Sequence, residues 1–206
     1  MNTYVIMANG KGVRWDNFTD RPKHLIKIGD ETLLARIVRI LKTLDPHGKV
    51  IITSNDERYE VEGAHRHVPL NNHLEIDRFT EELIGDGVCF LYGDTFYTEK
   101  ALEKIVASTG EELLFFGNEK RIVAVKVFDG TLMKRHVDKV KTLFLTGVIS
   151  DCKGWQLYQS YIGGPLDSKA IGDSYTLIND QTQDFNYPED YLRFLDTLPK
   201  SQNRSG

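Results

Sequence analysis

Four cations and two glycines lie in one loop near the start of the chain, between two short apolar runs. The loop spans residues 9–23, and its cations stand out because the whole chain has a net charge of −4. Its glycines allow backbone N–H groups to approach phosphate oxygens without a side chain in the way. The loop is therefore either a solvated basic segment or an anion site, and both readings stay open here. The residues concerned are Gly10, Lys11, Gly12, Arg14, Arg21 and Lys23.

Two aspartates further along the chain have the chemistry of a divalent-cation site. The run "LYGDTFY" ends an apolar stretch in Gly93 and Asp94, and Asp184 lies in a polar segment before the last predicted helix. Carboxylate oxygens are the ligands that Mg²⁺ prefers. Each aspartate also has a structural reading, because Asp often caps turns and helices. Glu189 and Asp190 fall in the first turn of the last helix, where they suit the helix dipole, and we interpret them as structural.

Several familiar motifs are excluded. "GKGVRW" contains G-x-G, but Trp15 stands where a dinucleotide-binding fingerprint has its third glycine, and the G-K-[ST] of a P-loop is missing. The sequence has no G-x-S-x-G elbow or Cys–His signature for covalent hydrolysis. His65, His67 and His73 cluster around a predicted strand without a nearby cysteine, so we interpret them as surface residues and not as a transition-metal site.

Composition describes an ordinary globular protein. The 206 residues are 40% apolar and 27% charged, which suits one domain, and we assign it residues 1–198 with a flexible polar tail at 199–206. A pI near 5.9 argues against binding nucleic acid through bulk charge. Cys89 and Cys152 are too few for a disulfide framework, and the sequence shows no leader or long apolar span. We expect a cytoplasmic protein without a membrane partner; a homo-oligomer is left open.

Apolar runs alternate with helical patterns, which predicts a three-layer, Rossmann-like α/β domain with a mainly parallel mixed sheet. Thr98 is the expected N-cap of one helix, and Pro188 fits the first turn of the last. Strands are predicted at residues 3–8, 49–54, 66–70, 87–94, 112–118, 121–128 and 175–178. Helices are predicted at residues 31–45, 73–83, 97–109, 131–143 and 154–162, and from 188 onward.

Three polar segments follow predicted strands of this sheet. They are the basic glycine loop, the turn "YGDTFY" and the segment "NDQTQDFN". In open parallel sheets, ligands bind beyond the carboxyl ends of the strands. The segments together supply cations, glycine backbone and carboxylates, a combination that suits a nucleotide phosphate chain with a divalent metal.

These segments together resemble the nucleotidyltransferase superfamily, which includes the sugar-1-phosphate nucleotidyltransferases and the molybdenum cofactor guanylyltransferases. The family pattern runs L-A-A-G-x-G-x-R, then P-K-x-L and an amphipathic helix. "FLYGDTFYTEKALEKI" is similar to the family's strand-G-D-helix segment, and "DFNYPEDYLRF" resembles its closing segment. Asn9 stands where the family usually has its second alanine, and Lys11 adds a cation. The matching positions are Ala8, Gly10, Gly12, Arg14, Pro22, Lys23 and Leu25.

The resemblance implies a Mg²⁺-dependent enzyme that joins a nucleoside triphosphate to a phosphorylated sugar or small alcohol phosphate and releases pyrophosphate. Arg14 and Lys23 would be its catalytic residues, with Arg14 on the departing pyrophosphate and Lys23 on the reacting phosphates. Asp94 and Asp184 would bind the metal. The nucleotide would lie on the loop residues Ala8, Asn9, Gly10, Lys11 and Gly12.

Two other functions remain open at the level of sequence. A glycosyltransferase of related fold would consume a nucleotide sugar and would be expected to carry an Asp-x-Asp-like motif, whereas "GDTF" has one carboxylate. A non-catalytic nucleotide-binding protein would keep the fold without turnover. Arg21 has no role in any of these and is expected to be solvated.

Overall fold

Alternation of side chains along the first strand sets up a layered architecture. Tyr4 and Ile6 point to one face of the sheet, and Val5 and Met7 point to the other; each is 3% exposed or less. A strand that is apolar on both faces must be covered by helices on both sides. In the computed structural model, which describes residues 2–10, 12–15, 18 and 21–198, both faces are covered.

Eleven strands and five α-helices form the described part of the chain. The helices are α1 Leu33–Leu44, α2 Glu99–Ala107, α3 Gly130–Leu145, α4 Gly154–Ile162 and α5 Pro188–Thr197. The strands are β1 Thr3–Met7, β2 Lys27–Ile28, β3 Glu31–Thr32, β4 Lys49–Thr53, β5 His65–His67, β6 Val88–Tyr92, β7 Thr95–Phe96, β8 Leu113–Gly117, β9 Ile122–Val127, β10 Tyr175–Leu177 and β11 Gln183–Asp184.

Seven strands form the main sheet, in the order β10-β8-β9-β6-β1-β4-β5. The pairs β1–β4, β1–β6, β4–β5 and β8–β10 are parallel, whereas β9 runs antiparallel to both β6 and β8. The remaining strands form two-stranded ladders, β2–β3 and β7–β11. The mainly parallel mixed sheet of the sequence prediction is confirmed, and the beginning of β9 lies at the edge where the other six strands end.

Three apolar clusters hold the layers together. Helices α1 and α2 pack on one face of the sheet, and α3 and α4 pack on the other. The third cluster joins Trp15 of the glycine loop to Phe96, Phe185 and Phe194, so that α5 is fixed against the loop. This last cluster places α5 beside the carboxyl edge of the sheet.

The predicted helix over residues 73–83 is wrong. This segment forms two short 3-10 helices, Glu75–Phe79 and Glu81–Leu83, separated by Thr80 with φ of 25°. The carboxylate of Asp77 accepts hydrogen bonds from the backbone N–H groups of His73 and Leu74, at 2.9 and 2.7 Å. Such local bonding of an Asp side chain offers the backbone an alternative to the α-helical ladder.

Other differences from the prediction are smaller. The strand expected at 66–70 is His65–His67, and the short strands β2, β3, β7 and β11 were not predicted. Thr98 caps α2 as expected, since its hydroxyl accepts from Ala101 N at 3.0 Å. The tail at 199–206 lies outside the described residues, and the domain boundary at 198 stays a prediction. Among the described residues, no helix is long and apolar enough to cross a membrane.

Candidate active site

The glycine loop leaves the sheet at the end of β1. Ala8 is buried in the core and donates its N–H to Thr53 O at 3.1 Å, which ties the loop to the neighbouring strand β4. Gly12 has φ of +60°, the left-handed region that glycine adopts without steric cost. Gly10 lies against Arg78, whose Nη2 would be 3.3 Å from a Cβ at that position. Gly12 is therefore favoured by its backbone conformation, whereas a Cβ at Gly10 would require the flexible end of Arg78 to move by a few tenths of an ångström.

The structure sorts the cations of the loop. Arg14 is exposed, and its guanidinium carbon lies 5.7 Å from the ring centroid of Tyr187. Arg21 is exposed, as expected. Lys23 is 8% exposed and lies in the 3-10 helix Lys23–Leu25. Lys11 lies outside the described residues, so its predicted role stays a prediction.

Lys23 and Asp94 form a buried ion pair. The Lys23 ammonium contacts the Asp94 carboxylate, and both side chains are 9% exposed. Burial alone would raise the pKa of Asp94, but the positive charge of Lys23, with that of Arg78 further away, outweighs it and holds the pKa below its ordinary value. Asp94 is therefore ionised at neutral pH, with its cation supplied by a residue 71 positions earlier in the chain.

The β7–β11 ladder brings Asp184 beside Asp94. Asp184 pairs with Thr95 across the two strands, and Phe185 N donates to Asp94 O at 2.9 Å. Burial, and next the negative charge of Asp94, raise the pKa of Asp184, although its ion pair with Arg121 opposes the shift. The two aspartates predicted from separate segments thus share one site.

The donor set fits a hard divalent cation. Two carboxylates line the same pocket, and burial together with the negative charge of Asp94 raises the pKa of Asp184. No group of three or more His, Cys, Asp or Glu side chains suited to a metal occurs within residues 2–10, 12–15, 18 and 21–198. A pair of carboxylates suits Mg²⁺, which usually takes one or two protein carboxylates and completes its shell with water and substrate phosphates.

Two spaces open from this point. The first, which we call the large cavity, has a volume of about 720 Å³ and extends from the glycine loop toward residues 54–59 and 69–73. The second, which we call the charged chamber, consists of two adjoining pockets of about 140 and 200 Å³, and Asp94 and Asp184 line the larger of the two. Lys23, Gly12 and Trp15 line both spaces. A ligand could therefore extend through both and pass Lys23 at their junction.

The charged chamber contains cations that the sequence analysis missed. Its walls carry Arg78, Lys120, Arg121 and Lys153, besides Arg14 and Lys23. Arg121 stands immediately before β9, and because that strand is antiparallel its beginning lies at the ligand-binding edge. A prediction that β8 and β9 form an antiparallel hairpin would have placed Arg121 at this edge of the sheet. Arg78 lies in the segment for which the sequence predicts a regular helix, and that pattern does not indicate that its side chain reaches the site.

A buried histidine also went unnoticed. His24 is 2% exposed, lines the large cavity, and has its Nδ1 3.0 Å from the Tyr59 hydroxyl. Burial lowers the pKa of His24 to about 3, and the adjacent Lys23 acts in the same direction. His24 is therefore neutral at pH 7 and adds a hydrogen-bonding group without adding charge. Of the histidines near β5, His73 lines the large cavity, whereas His65 and His67 do not; His67 Nε2 lies 2.9 Å from Glu82 Oε1.

Comparison with known proteins defines the class of fold. No protein-family model matches the sequence, and no curated protein matches it. Solved structures do match in fold. The chain has the three-layer α/β fold of the sugar-phosphate and alcohol-phosphate nucleotidyltransferases, which confirms the predicted fold class.

Three of these structures illustrate the similarity. The CTP:phosphocholine cytidylyltransferase of Streptococcus pneumoniae has a TM-score of 0.56 at 12% identity, over 97% of this chain and 100% of the other. A putative glucose-1-phosphate thymidylyltransferase of Bacillus anthracis gives 0.61 at 13%, over 100% and 96%. The inositol-1-phosphate CTP transferase of T. maritima gives 0.58 at 14%, over 92% and 91%. Identities this low establish the fold, while the activity must be argued from the site.

Proposed function

We propose that this protein is a Mg²⁺-dependent nucleotidyltransferase that joins a nucleoside triphosphate to a phosphorylated acceptor, either a sugar-1-phosphate or a small alcohol phosphate. The observation that carries the proposal is the convergence of Lys23, Asp94 and Asp184 beside the glycine loop. These residues come from three segments that meet only through the fold. Similar folds in named nucleotidyltransferases for phosphocholine, glucose-1-phosphate and inositol-1-phosphate support the same reaction class.

The nucleotide lies across the junction of the two spaces. The nucleoside, the bulkiest part of the triphosphate, takes the large cavity, and the phosphates pass over Gly10 and Gly12 into the charged chamber. Backbone N–H groups of the loop donate to phosphate oxygens. Arg14 is exposed at the mouth of the chamber, where it can meet the departing pyrophosphate without loss of a buried partner.

The reaction is an in-line displacement at the α-phosphorus. An oxygen of the acceptor phosphate forms the new P–O bond, the bond to the β-phosphate breaks, and pyrophosphate leaves with the electron pair. Lys23 lies between the two spaces and neutralises the repulsion between the acceptor phosphate and the α-phosphate. Asp94 and Asp184 would hold Mg²⁺, which supplies charge neutralisation and orientation to the phosphates when bound. Catalysis then rests on positioning and charge, without an enzyme nucleophile.

The test is release of pyrophosphate. The purified protein is incubated with Mg²⁺, each of the four nucleoside triphosphates, and a panel of sugar-1-phosphates and alcohol phosphates. We expect one combination to release pyrophosphate and to form the nucleoside diphosphate conjugate in equal amount. In that assay Lys23→Ala and Asp94→Ala should lower the rate by at least about 100-fold. Full activity in both variants would remove the assigned roles.

The competing functions give different results in the same assay. Hydrolysis or transfer of a nucleotide sugar without pyrophosphate chemistry would indicate a glycosyltransferase. A thermal shift with a nucleoside triphosphate but no turnover in any mixture would indicate a nucleotide-binding protein. The second carboxylate, Asp184, reaches the site from a strand 90 residues after Asp94 and so does not supply the Asp-x-Asp motif of the glycosyltransferase alternative.

A further inference from the structure

Asn9 carries a buried carboxamide without a hydrogen-bonding partner. The residue is 6% exposed, and among the residues that the structure describes neither Oδ1 nor Nδ2 has a partner. Buried polar side chains are nearly always hydrogen-bonded, because a lost contact with water is costly unless another replaces it. An amide with both ends unpaired in the wall of a cavity is therefore a candidate ligand-binding group.

Among the described residues, the Asn9 side chain makes no hydrogen bond that would hold the glycine loop in place. Its backbone oxygen already accepts a hydrogen bond from Asn72 Nδ2 at 2.8 Å, which fixes this part of the loop against the opposite wall. The side chain takes no part in that contact, and Asn9 is one of the residues that line the large cavity. The related nucleotidyltransferase pattern has alanine here, so an amide at this position is a feature of this chain.

The chemistry of the amide matches the part of the nucleotide that enters the large cavity. A carboxamide presents a donor and an acceptor side by side, and every nucleobase has an edge with adjacent hydrogen-bonding groups. The phosphates and ribose carry acceptors and hydroxyl groups, and the charged chamber supplies cations for the former. A nucleobase edge, with a donor and an acceptor fixed side by side, can therefore satisfy both ends of the amide together.

We propose that the carboxamide of Asn9 binds the hydrogen-bonding edge of the nucleobase and is a residue that determines which nucleoside triphosphate is accepted. The inference rests on the proposed function, since it requires a nucleoside triphosphate in the large cavity. It goes beyond that function because it assigns base discrimination to one side chain. Removal of the amide should lower the affinity for the preferred nucleotide more than the affinity for the other three.

The test compares binding of the four nucleoside triphosphates and of inorganic tripolyphosphate, each with Mg²⁺, by calorimetry. Wild type should favour one or two bases. Asn9→Ala should lower the affinity for the preferred nucleotide by about 10- to 100-fold, toward the affinity for the other three. The affinity for tripolyphosphate should stay within about twofold of the wild-type value. The matched control is Asn71→Ala, an exposed asparagine near the cavity that does not line it, and it should behave as wild type.

A second variant guards against a folding artefact. Asn9→Asp keeps the size of the side chain but removes its donor, so it should also lose the preference. The melting temperature of Asn9→Ala without nucleotide should be equal to or above that of wild type, because the substitution removes a buried unpaired group.

Three outcomes would overturn the inference while leaving the proposed function in place. They are a wild type that binds all four nucleotides equally, an unchanged preference in Asn9→Ala, and an equal weakening of nucleotides and tripolyphosphate, which would mean that Asn9 only supports the loop. If the wild type binds neither the nucleotides nor tripolyphosphate, the proposed function is overturned, and the inference with it.

Discussion

At the scale of single residues, the site is organised by unlike charges that are buried together. Lys23 has its only described ionic partner in Asp94, and Asp184 has its described ionic partner in Arg121. The two carboxylates nevertheless respond in opposite directions, since the pKa of Asp94 is lowered and that of Asp184 is raised. Because the two pKa values shift in opposite directions, substitutions in the two ion pairs should change stability in opposite directions.

Replacement of Lys23 by methionine leaves Asp94 buried without its cation. Loss of one partner of a buried pair costs about 3–5 kcal/mol, so the free energy of unfolding of Lys23→Met should fall by about 3 kcal/mol at pH 7. In wild type the lowered pKa of Asp94 gives stability that is present above the ordinary pKa of Asp and lost as the pH falls. In the variant burial raises that pKa, so the gap between the two proteins should narrow toward pH 4.

Urea unfolding of both proteins at pH 7, 5.5 and 4 measures this effect. The control is Lys27→Met, which replaces an exposed lysine. It should change the free energy of unfolding by no more than about 0.5 kcal/mol at any pH. A gap for Lys23→Met that stays constant with pH would show that the loss comes from packing and not from the charge of Asp94.

Asp184→Asn should increase stability while it abolishes turnover. A carboxyl group whose pKa is raised by folding favours the folded state below its ordinary pKa, and this contribution is lost as the pH rises through the folded value. At pH 7 the ionised Asp184 is therefore a cost. We expect the variant to be about 1 kcal/mol more stable at pH 7, with the gain disappearing by pH 4. Thermal unfolding at both values, with pyrophosphate release as the second readout, checks this; a loss of stability at pH 7 contradicts it.

At the scale of elements, close contact between the ends of β1 and β6 fixes the position of Asp94. Gly93 N donates to Met7 O at 3.0 Å, and a Cβ on Gly93 would lie 2.9 Å from that same oxygen. Backbone atoms cannot yield to such a contact as a flexible side chain could. The glycine before Asp94 is therefore required by packing, independently of any role in binding.

Gly93→Ala should push the two strands apart where the aspartate leaves the sheet. The free energy of unfolding should fall by about 1–3 kcal/mol, and pyrophosphate release should fall by at least about tenfold because Asp94 is displaced. Gly85→Ala is the matched control, since a Cβ there has no neighbour within 4 Å and its φ is not in the left-handed region. Equal losses in the two variants would argue against a local cause.

At the scale of the whole molecule, the candidate site exists only where distant parts of the chain meet. The glycine loop, β6 and β11 bring their residues to one edge of the sheet, and α5 is fixed against the loop by the cluster of Trp15, Phe96, Phe185 and Phe194. A ligand that contacts all these segments should stabilise the fold as a unit. A ligand that reaches one segment only makes fewer contacts, so it should bind more weakly and stabilise the fold less at the same concentration.

Thermal unfolding with nucleotide and metal tests this coupling. Because Asp94 and Asp184 are each paired with a cation, Mg²⁺ alone at 5 mM should raise the melting temperature by no more than about 1 °C. The preferred nucleoside triphosphate with Mg²⁺, at about 100 times its dissociation constant, should raise it by about 5–10 °C. A large shift with Mg²⁺ alone would mean that the carboxylates are free to bind metal without phosphates.

The sequence by itself determined the fold class and predicted part of the candidate site. Strand and helix order followed from local apolar periodicity, and the glycine loop, Lys23 and Asp94 stood out because their residue types are tied to short motifs. Asp184 was found in the same way, although its partner strand β7 was not. Such local patterns survive in the folded protein because neighbours in sequence remain neighbours in structure.

Tertiary structure alone decided how the charges are shared and which other residues line the site. The pairing of Lys23 with Asp94 and of Asp184 with Arg121 joins segments 71 and 63 residues apart. The burial of His24, the placement of Arg78 on Gly10 and the unpaired amide of Asn9 likewise depend on what packs against them. Burial and ionic partnership are properties of the space around a side chain, and the chain fills that space with residues whose distance in sequence carries no local signal.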